Sequence, residues 1–206
     1  MKSLGICFGA TTIQAVVLHV DAEFKSVEKT LRIAHNGNPV KIFKEILAQV
    51  NCPEIERVAV TGRNFRANVR LSGISEVEAV ECALREEFPA QDFPDIVISA
   101  GGETQLVYKV GSHGGIASVL SGNKCASGTG EFFLQQIRRM GLTLEEAVAL
   151  AEKGSPHKIA GRCSVFCKSD CTHALNKGEK IENIMAGLCR MMADKIINIV
   201  KDTALP

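Results

Sequence analysis

The 206-residue sequence lacks an excess of charge of either sign. It contains 24 lysines and arginines against 23 aspartates and glutamates, which gives a formal net charge of +1. Binding to nucleic acid by counterion release needs a concentrated run of basic residues, and the sequence has no such run. The composition therefore predicts no nucleic-acid partner and no attraction to a charged membrane surface.

Long apolar runs are missing as well. No stretch reaches the roughly 18 apolar residues that a transmembrane helix needs. Residues 1–9 lack the apolar core and the small-residue cleavage site of a secretory signal. We therefore expect a cytoplasmic protein with no membrane partner. With 46% hydrophobic and 23% charged residues, the chain is predicted to fold as one large or two small domains.

Cysteine, in contrast, is plentiful. Eight cysteines in a reducing compartment are not expected to form disulfides, so those that cluster indicate metal ligation or redox chemistry. Cys7, Cys52, Cys82 and Cys189 are dispersed along the chain. We predict that these four are ordinary buried residues, because cysteine packs as a small apolar side chain.

The most informative cysteine is Cys125, which lies in the glycine-rich segment 122–130 directly before a predicted helix. Free backbone N–H groups and the dipole at a helix N-terminus stabilise an anion, whether a thiolate, a phosphate or a negatively charged cluster. This segment therefore predicts a metal, redox or anion site.

A second cysteine-bearing segment follows about forty residues later. Cys163, Cys167 and Cys171 are spaced four residues apart, which places them along one face of a helix. Together with His173 they could hold zinc or a second cluster, although the spacing matches no standard site. The simpler interpretation makes Cys167 and Cys171 extra thiols beside a metal site to which Cys163 contributes.

The pattern of apolar and turn residues predicts an α/β protein with two similar halves. A proline-containing stretch, 88–94, separates the predicted domains 1–93 and 94–206. Strands are predicted over 4–8, 14–20, 29–33, 57–62, 95–100, 105–110 and 115–120, and helices over 40–50, 75–87, 131–137, 144–153 and 184–199.

Each half opens with a strand, a glycine turn and a second strand. The first glycine turn contains Gly9, Ala10 and Thr11, and the second contains Gly101 and Gly102. Glycine lets backbone N–H groups approach an oxyanion closely. Taken singly, each turn is a plain hairpin connection, whereas as a pair facing each other they would form a clamp for nucleotide phosphates.

These features together resemble a known family. The resemblance is carried by the two glycine turns and by Ile-Ser-Glu-Val-Glu-Ala at 74–79, Asn-Lys-Cys-Ala-Ser-Gly-Thr-Gly at 123–130 and Cys-Ser-Val-Phe at 163–166. The chain is similar, from about residue 4 to its end, to the BadF/BadG/BcrA/BcrD ATPase family, whose members activate 2-hydroxyacyl-CoA dehydratases and benzoyl-CoA reductases.

The resemblance implies an actin/hexokinase/Hsp70-like fold of two RNase H-like lobes that bind ATP or ADP with Mg²⁺ between them. It also implies a 4Fe-4S cluster at the interface of a homodimer, with Cys125 and Cys163 of each subunit as ligands. The nucleotide contacts would be backbone N–H groups of both glycine turns, with Lys124 as a further phosphate partner. ATP would drive one electron from the cluster to an acyl-CoA dehydratase or reductase component.

Two positions depart from the family's pattern. Cys7 and Ser99 stand where the family has aspartates before the two glycine turns, and such carboxylates hold Mg²⁺ and orient the attacking water. Glu103 is the nearest carboxylate in sequence and is the candidate to replace them. Two functions therefore remain open: an ATP-dependent activase, and a non-hydrolysing, degenerate scaffold that dimerises and holds metal. A sugar or acetate kinase ranks last, because it needs the same aspartates.

The chain also ends before the strand and Gly-Gly turn that complete the adenosine pocket in the family. We therefore expect the second lobe to be truncated, and the sequence to be a segment of a longer polypeptide.

Overall fold

The computed structural model describes residues 1–21, 24–62, 69–89, 92–122 and 126–201. Within it the chain divides into two compact units, Met1–Gln91 and Asp92–Pro206. Both units combine a sheet with helices. None of the helices within the described ranges is long and apolar enough to cross a lipid bilayer.

The first unit is a four-stranded sheet in the order β3-β2-β1-β4 with two helices. Its elements are β1 (Lys2–Phe8), β2 (Thr12–Val20), β3 (Lys25–Ala34), α1 (Pro39–Gln49), β4 (Arg57–Gly62) and α2 (Glu76–Glu87). The three leading strands pair antiparallel, and β4 joins β1 in parallel. The carboxyl ends of β1 and β4 therefore meet at one edge of the sheet, beside the first glycine turn.

The core of the first unit lies against one face of this sheet. Leu4, Ile6 and Phe8 alternate along β1 with more exposed neighbours, as expected for a strand whose side chains point to opposite faces. Helix α1 packs on that face through Ile46 and Phe43. The rings of Phe8 and Phe43 meet edge to face at 5.3 Å between centroids.

The second unit opens with a three-stranded antiparallel sheet in the order β5-β6-β7. Its strands are β5 (Ile96–Ala100), β6 (Gln105–Val110) and β7 (Ile116–Ser121). A short 3₁₀ turn at Ala126–Gly128 precedes the helices α3 (Gly130–Arg139), α4 (Leu144–Ala151), α5 (Ser164–Asn176) and α6 (Ile181–Lys201).

The long helix α6 is the centre of the second unit. Its residues Ile184, Met185 and Leu188 are fully buried, and α3, α4 and α5 contribute to the same apolar cluster. Gly187 lies where α6 meets the extended segment before α5, and a side chain there would collide with the backbone oxygen of His157. The segment 155–161 is thus held directly against α6.

Candidate functional site

The first glycine turn connects β1 to β2 at the surface of the first unit. The Gly9 N–H donates to the Thr12 oxygen at 2.9 Å, and an added Cβ at Gly9 would also lie 2.9 Å from that oxygen, so only glycine fits. The backbone N–H groups of Ala10 and Thr11 donate to no described group. His35 lies beside the turn, with its Nε2 3.3 Å from the Gly9 oxygen. The turn can therefore offer free donors to an oxyanion.

Cys7 lies near the carboxyl end of β1, at the same edge of the sheet as the first glycine turn. It is paired with Thr61 of β4, and its thiol is half-buried. Burial, and secondarily the negative charge of Glu76, raises the pKa of the Cys7 thiol. The buried hydroxyl of Thr61 has no hydrogen-bond partner among the described residues. A neutral thiol thus stands where the family pattern has an aspartate.

The position of Glu76 follows from the backbone around β4. The Ile74 N–H donates to the Val60 oxygen at 2.9 Å, which holds the chain entering α2 beside β4. Ser75 then caps α2 by accepting from the Glu78 N–H at 3.1 Å, so Glu76 is the first residue of the helix. Sequence reasoning named Glu103, beside the second turn, and did not consider Glu76; the role of Glu103 stays a prediction.

The second glycine turn lies in the second unit and contacts the start of α3. The Gly101 N–H donates to the Thr104 oxygen at 2.8 Å, while the Gly101 and Gly102 oxygens accept from the N–H groups of Gly130 and Glu131 at 3.0 and 2.9 Å. The N–H groups of Gly102 and Glu103 donate to no described group.

These bonds correct one expectation from the sequence. Thr129 caps α3 by accepting from the Phe132 N–H at 3.3 Å, so the first three N–H groups of the helix all have protein partners. They are not the free donors that the sequence predicted near Cys125. That the two glycine turns face each other as a phosphate clamp stays a prediction.

Lys124 and Cys125 lie outside the described residues. Two residues after Cys125, the buried Ser127 hydroxyl donates to the Gly161 oxygen at 3.0 Å. Gly161 stands two residues before Cys163. The segments that follow Cys125 and precede Cys163 are therefore joined in one unit.

Cys163 is the N-cap residue of α5 and is half-buried. Its oxygen accepts from the Cys167 N–H at 3.0 Å, whereas its side chain makes no capping hydrogen bond. The next two apolar residues, Val165 and Phe166, are 70% and 64% exposed. The Cys163 thiol thus does not cap the helix and lies next in sequence to an exposed apolar patch, Val165 and Phe166.

Cys167 and Cys171, unlike Cys163, lie in the core of the second unit. They are 0% and 1% exposed within the apolar cluster of the second unit. That they are extra thiols beside a metal site stays a prediction. The hydrogen bond to the Cys171 sulfur, together with burial, holds the pKa of the Cys167 thiol far above its usual range, so this thiol stays neutral.

The prediction for the dispersed cysteines was wrong in part. Cys52 and Cys82 are exposed, while Cys7 and Cys189 are half-buried. All seven cysteines within the described ranges are free thiols.

Among those ranges no three His, Cys, Asp or Glu side chains are grouped to hold a metal ion, so the proposed zinc set around His173 does not form.

Comparison with known proteins relates this geometry to characterised activators. The chain is 25% identical over 214 residues to the (R)-2-hydroxyglutaryl-CoA dehydratase activating ATPase of Acidaminococcus fermentans, covering 98% of this chain and 81% of that protein. It is 32% identical over 104 residues to the uncharacterised protein YjiL of Escherichia coli, covering 50% of this chain and only 41% of that protein.

Solved structures give the fold. The activator of the 2-hydroxyisocaproyl-CoA dehydratase from Clostridium difficile, solved with bound ADPNP, superposes with a TM-score of 0.84 at 22% identity and covers 100% of this chain and 77% of that one. The fold is accordingly the actin/hexokinase-like fold of the activator ATPases, as the sequence predicted. The family profile matches residues 4–205, and the chain therefore belongs to the BadF/BadG/BcrA/BcrD ATPase family.

Proposed function

We propose that this chain is the ATP-dependent activator, or a segment of the activator, of a 2-hydroxyacyl-CoA dehydratase or a related reductase. It would act as a cytoplasmic homodimer that holds one 4Fe-4S cluster between its subunits through Cys125 and Cys163. When bound, such a cluster supplies a single electron at low potential. The nucleotide would bind at the two glycine turns, with Lys124 as a further phosphate partner.

The observation that carries the proposal is the hydrogen bond from Ser127 to Gly161 at 3.0 Å. It lies two residues after Cys125 and two residues before Cys163, so it favours an approach of the two thiols. A thiol that makes no capping bond, as at Cys163, is free to ligate iron as a thiolate.

Two further features support a shared site. A 4Fe-4S cluster takes four thiolates, and Cys125 and Cys163 of one chain supply two, so a second copy would complete the set. The exposed apolar patch beside Cys163, formed by Val165 and Phe166, would be covered by that copy.

The ligands are tested on anaerobically prepared protein. Iron and sulfide content and the EPR signal of the reduced protein should be lost in Cys125→Ser and in Cys163→Ser. Cys82→Ser is the matched control, because that thiol is exposed and lies in the first unit. A full cluster content in either ligand variant would contradict the proposal.

A second function is favoured by Cys7: a non-hydrolysing scaffold that keeps the fold and the cluster. A thiol whose pKa is raised stays neutral near pH 7 and cannot supply the charge that holds Mg²⁺. Among the described residues, the negative charge of Glu76 acts on the ionisation of the Cys7 thiol.

Turnover of ATP with Mg²⁺ separates the two functions. The activator should release phosphate from ATP, and Cys7→Asp should raise that rate by adding a carboxylate at the end of β1. Hydrolysis that is absent from the wild type and appears in Cys7→Asp would assign the scaffold function instead.

A further inference from the structure

The second unit contains a groove that the proposed activator function does not use. It has a volume of about 680 Å³ and lies between the C-terminal half of α5, the start of α6 and the segment 157–160. Lys158, Lys177 and Lys180 line it together with His173, and all four side chains are exposed. We call it the basic groove.

The two carboxylates of the groove accept hydrogen bonds from the protein and keep their negative charge. Asp170 accepts from the Ala160 N–H at 2.8 Å. Glu179 accepts from the Asn183 side chain at 2.7 Å, and its other oxygen lies 3.2 Å from Nδ1 of His157. The three lysines form no ion pair within the described part of the chain. The three lysine charges therefore exceed the two carboxylate charges of the groove, Asp170 and Glu179, by one.

The wall of the groove is fixed by the fold. The His157 N–H donates to the Asn183 oxygen at 2.9 Å, and the Ser155 N–H donates to the Asn183 side-chain oxygen at 2.8 Å. Gly187 lets this segment lie against α6 without a steric clash. A ligand would meet a preformed site and would not have to order it.

The groove is separate from the proposed cluster site. Cys163 caps the N-terminus of α5, whereas the groove begins at Asp170 and extends past the last turn of the helix. At 1.5 Å per residue, Asp170 lies about 10 Å along the helix axis from Cys163.

We propose that the basic groove binds a small, multiply charged anion of the phosphate class. Unpaired ammonium groups gathered in a cleft repel one another and attract counter-charge, and lysine binds phosphate oxygens as a point charge. The volume lies within the range of small-molecule sites. Phosphate and pyrophosphate groups share this chemistry, whether free or part of a larger molecule.

Histidine resonances report on binding directly. Inorganic pyrophosphate is titrated into the full chain, labelled with ¹⁵N at histidine, at about pH 8, where the lysines carry the charge. His157 and His173 line the groove, whereas His35 lies beside the first glycine turn. We expect pyrophosphate to shift the first two resonances, and a non-hydrolysable ATP analogue to shift that of His35. The two proposals can thus fail independently.

The lysines are tested by a matched pair of triple variants. Changing Lys158, Lys177 and Lys180 to Gln should weaken pyrophosphate binding about tenfold at low salt. Changing Lys44, Lys153 and Lys168 to Gln removes the same charge from exposed positions outside the groove and should change the affinity less than about twofold. Unshifted His157 and His173, or equal weakening in both triple variants, would overturn the proposal.

Discussion

Cys7 is the last residue but one of β1, close to the first glycine turn, and the negative charge of Glu76 acts on its half-buried thiol. We predict that Glu76→Gln lowers the pKa of the Cys7 thiol, because it removes a negative charge that opposes ionisation. More thiolate is then present at about pH 8, so iodoacetamide should alkylate Cys7 about threefold faster. The rate is measured by mass spectrometry of the peptide that contains Cys7.

The control is Glu81→Gln, which changes the same charge further along α2. It should leave the alkylation rate of Cys7 unchanged. If both variants accelerate the alkylation of Cys7 equally, the acceleration comes from the overall change in charge, and the prediction for Glu76 is wrong.

The buried thiols of α5 make a second prediction at the residue scale. Cys167→Ser should lower the free energy of unfolding by about 1–3 kcal/mol, since it places a hydroxyl without an assured partner in an apolar cluster. Cys163→Ser should change it by less than about 0.5 kcal/mol, because that side chain is half-buried and makes no capping bond. Urea denaturation followed by circular dichroism measures both. Equal stability of the two variants would argue against the buried position of Cys167.

At the scale of elements, helix α2 depends on its first turn. Ser75 and Glu78 form a capping box in which each side chain accepts from the other residue's N–H, at 3.1 and 2.7 Å. Ser75→Ala should lower the free energy of unfolding by about 1 kcal/mol, because an N–H group of α2 loses its acceptor. Ser72→Ala, at an exposed serine of the same connection, is the control for denaturation and should have no measurable effect.

The elements were predictable where their signals are local. Asn38 accepts from the Lys41 N–H at 3.1 Å and α1 starts at Pro39, as the Asn-Pro pair predicted. The capping box of Thr143 and Glu146 is present at the start of α4. Such bonds join residues three apart in sequence, so the sequence contains all the information they need.

The face that a helix buries was not predictable in the same way. The spacing of Cys163, Cys167 and Cys171 indicated one shared helical face, and Cys167 and Cys171 do share a buried one. Cys163 instead precedes the helix as its cap. Periodicity fixes the angles between side chains, but which angle points to the core depends on α3 and α6, which pack there through tertiary contacts.

At the scale of the whole molecule, the sequence predicted the family and the fold, but not the contacts that build the site. The Ser127 bond to Gly161 joins residues 34 apart, and the closeness of Glu76 to Cys7 depends on the pairing of β1 with β4. Neither contact has a local pattern in the sequence. A sequence motif identified Cys163. The residues that contact the segments around it could not be predicted, because those contacts form only when distant segments pack together.

The oligomeric state provides the last prediction. If a cluster joins two copies at Cys125 and Cys163, reconstitution with iron and sulfide under anaerobic conditions should convert a 22.2 kDa monomer into a species of about twice that mass. Light scattering after size exclusion measures the change, and exposure to air should reverse it. Cys163→Ser should remain monomeric under the same treatment, while Cys82→Ser should dimerise like the wild type. A dimer that persists in Cys163→Ser without iron would mean that the exposed Val165 and Phe166 patch, and not the cluster, holds the two copies together.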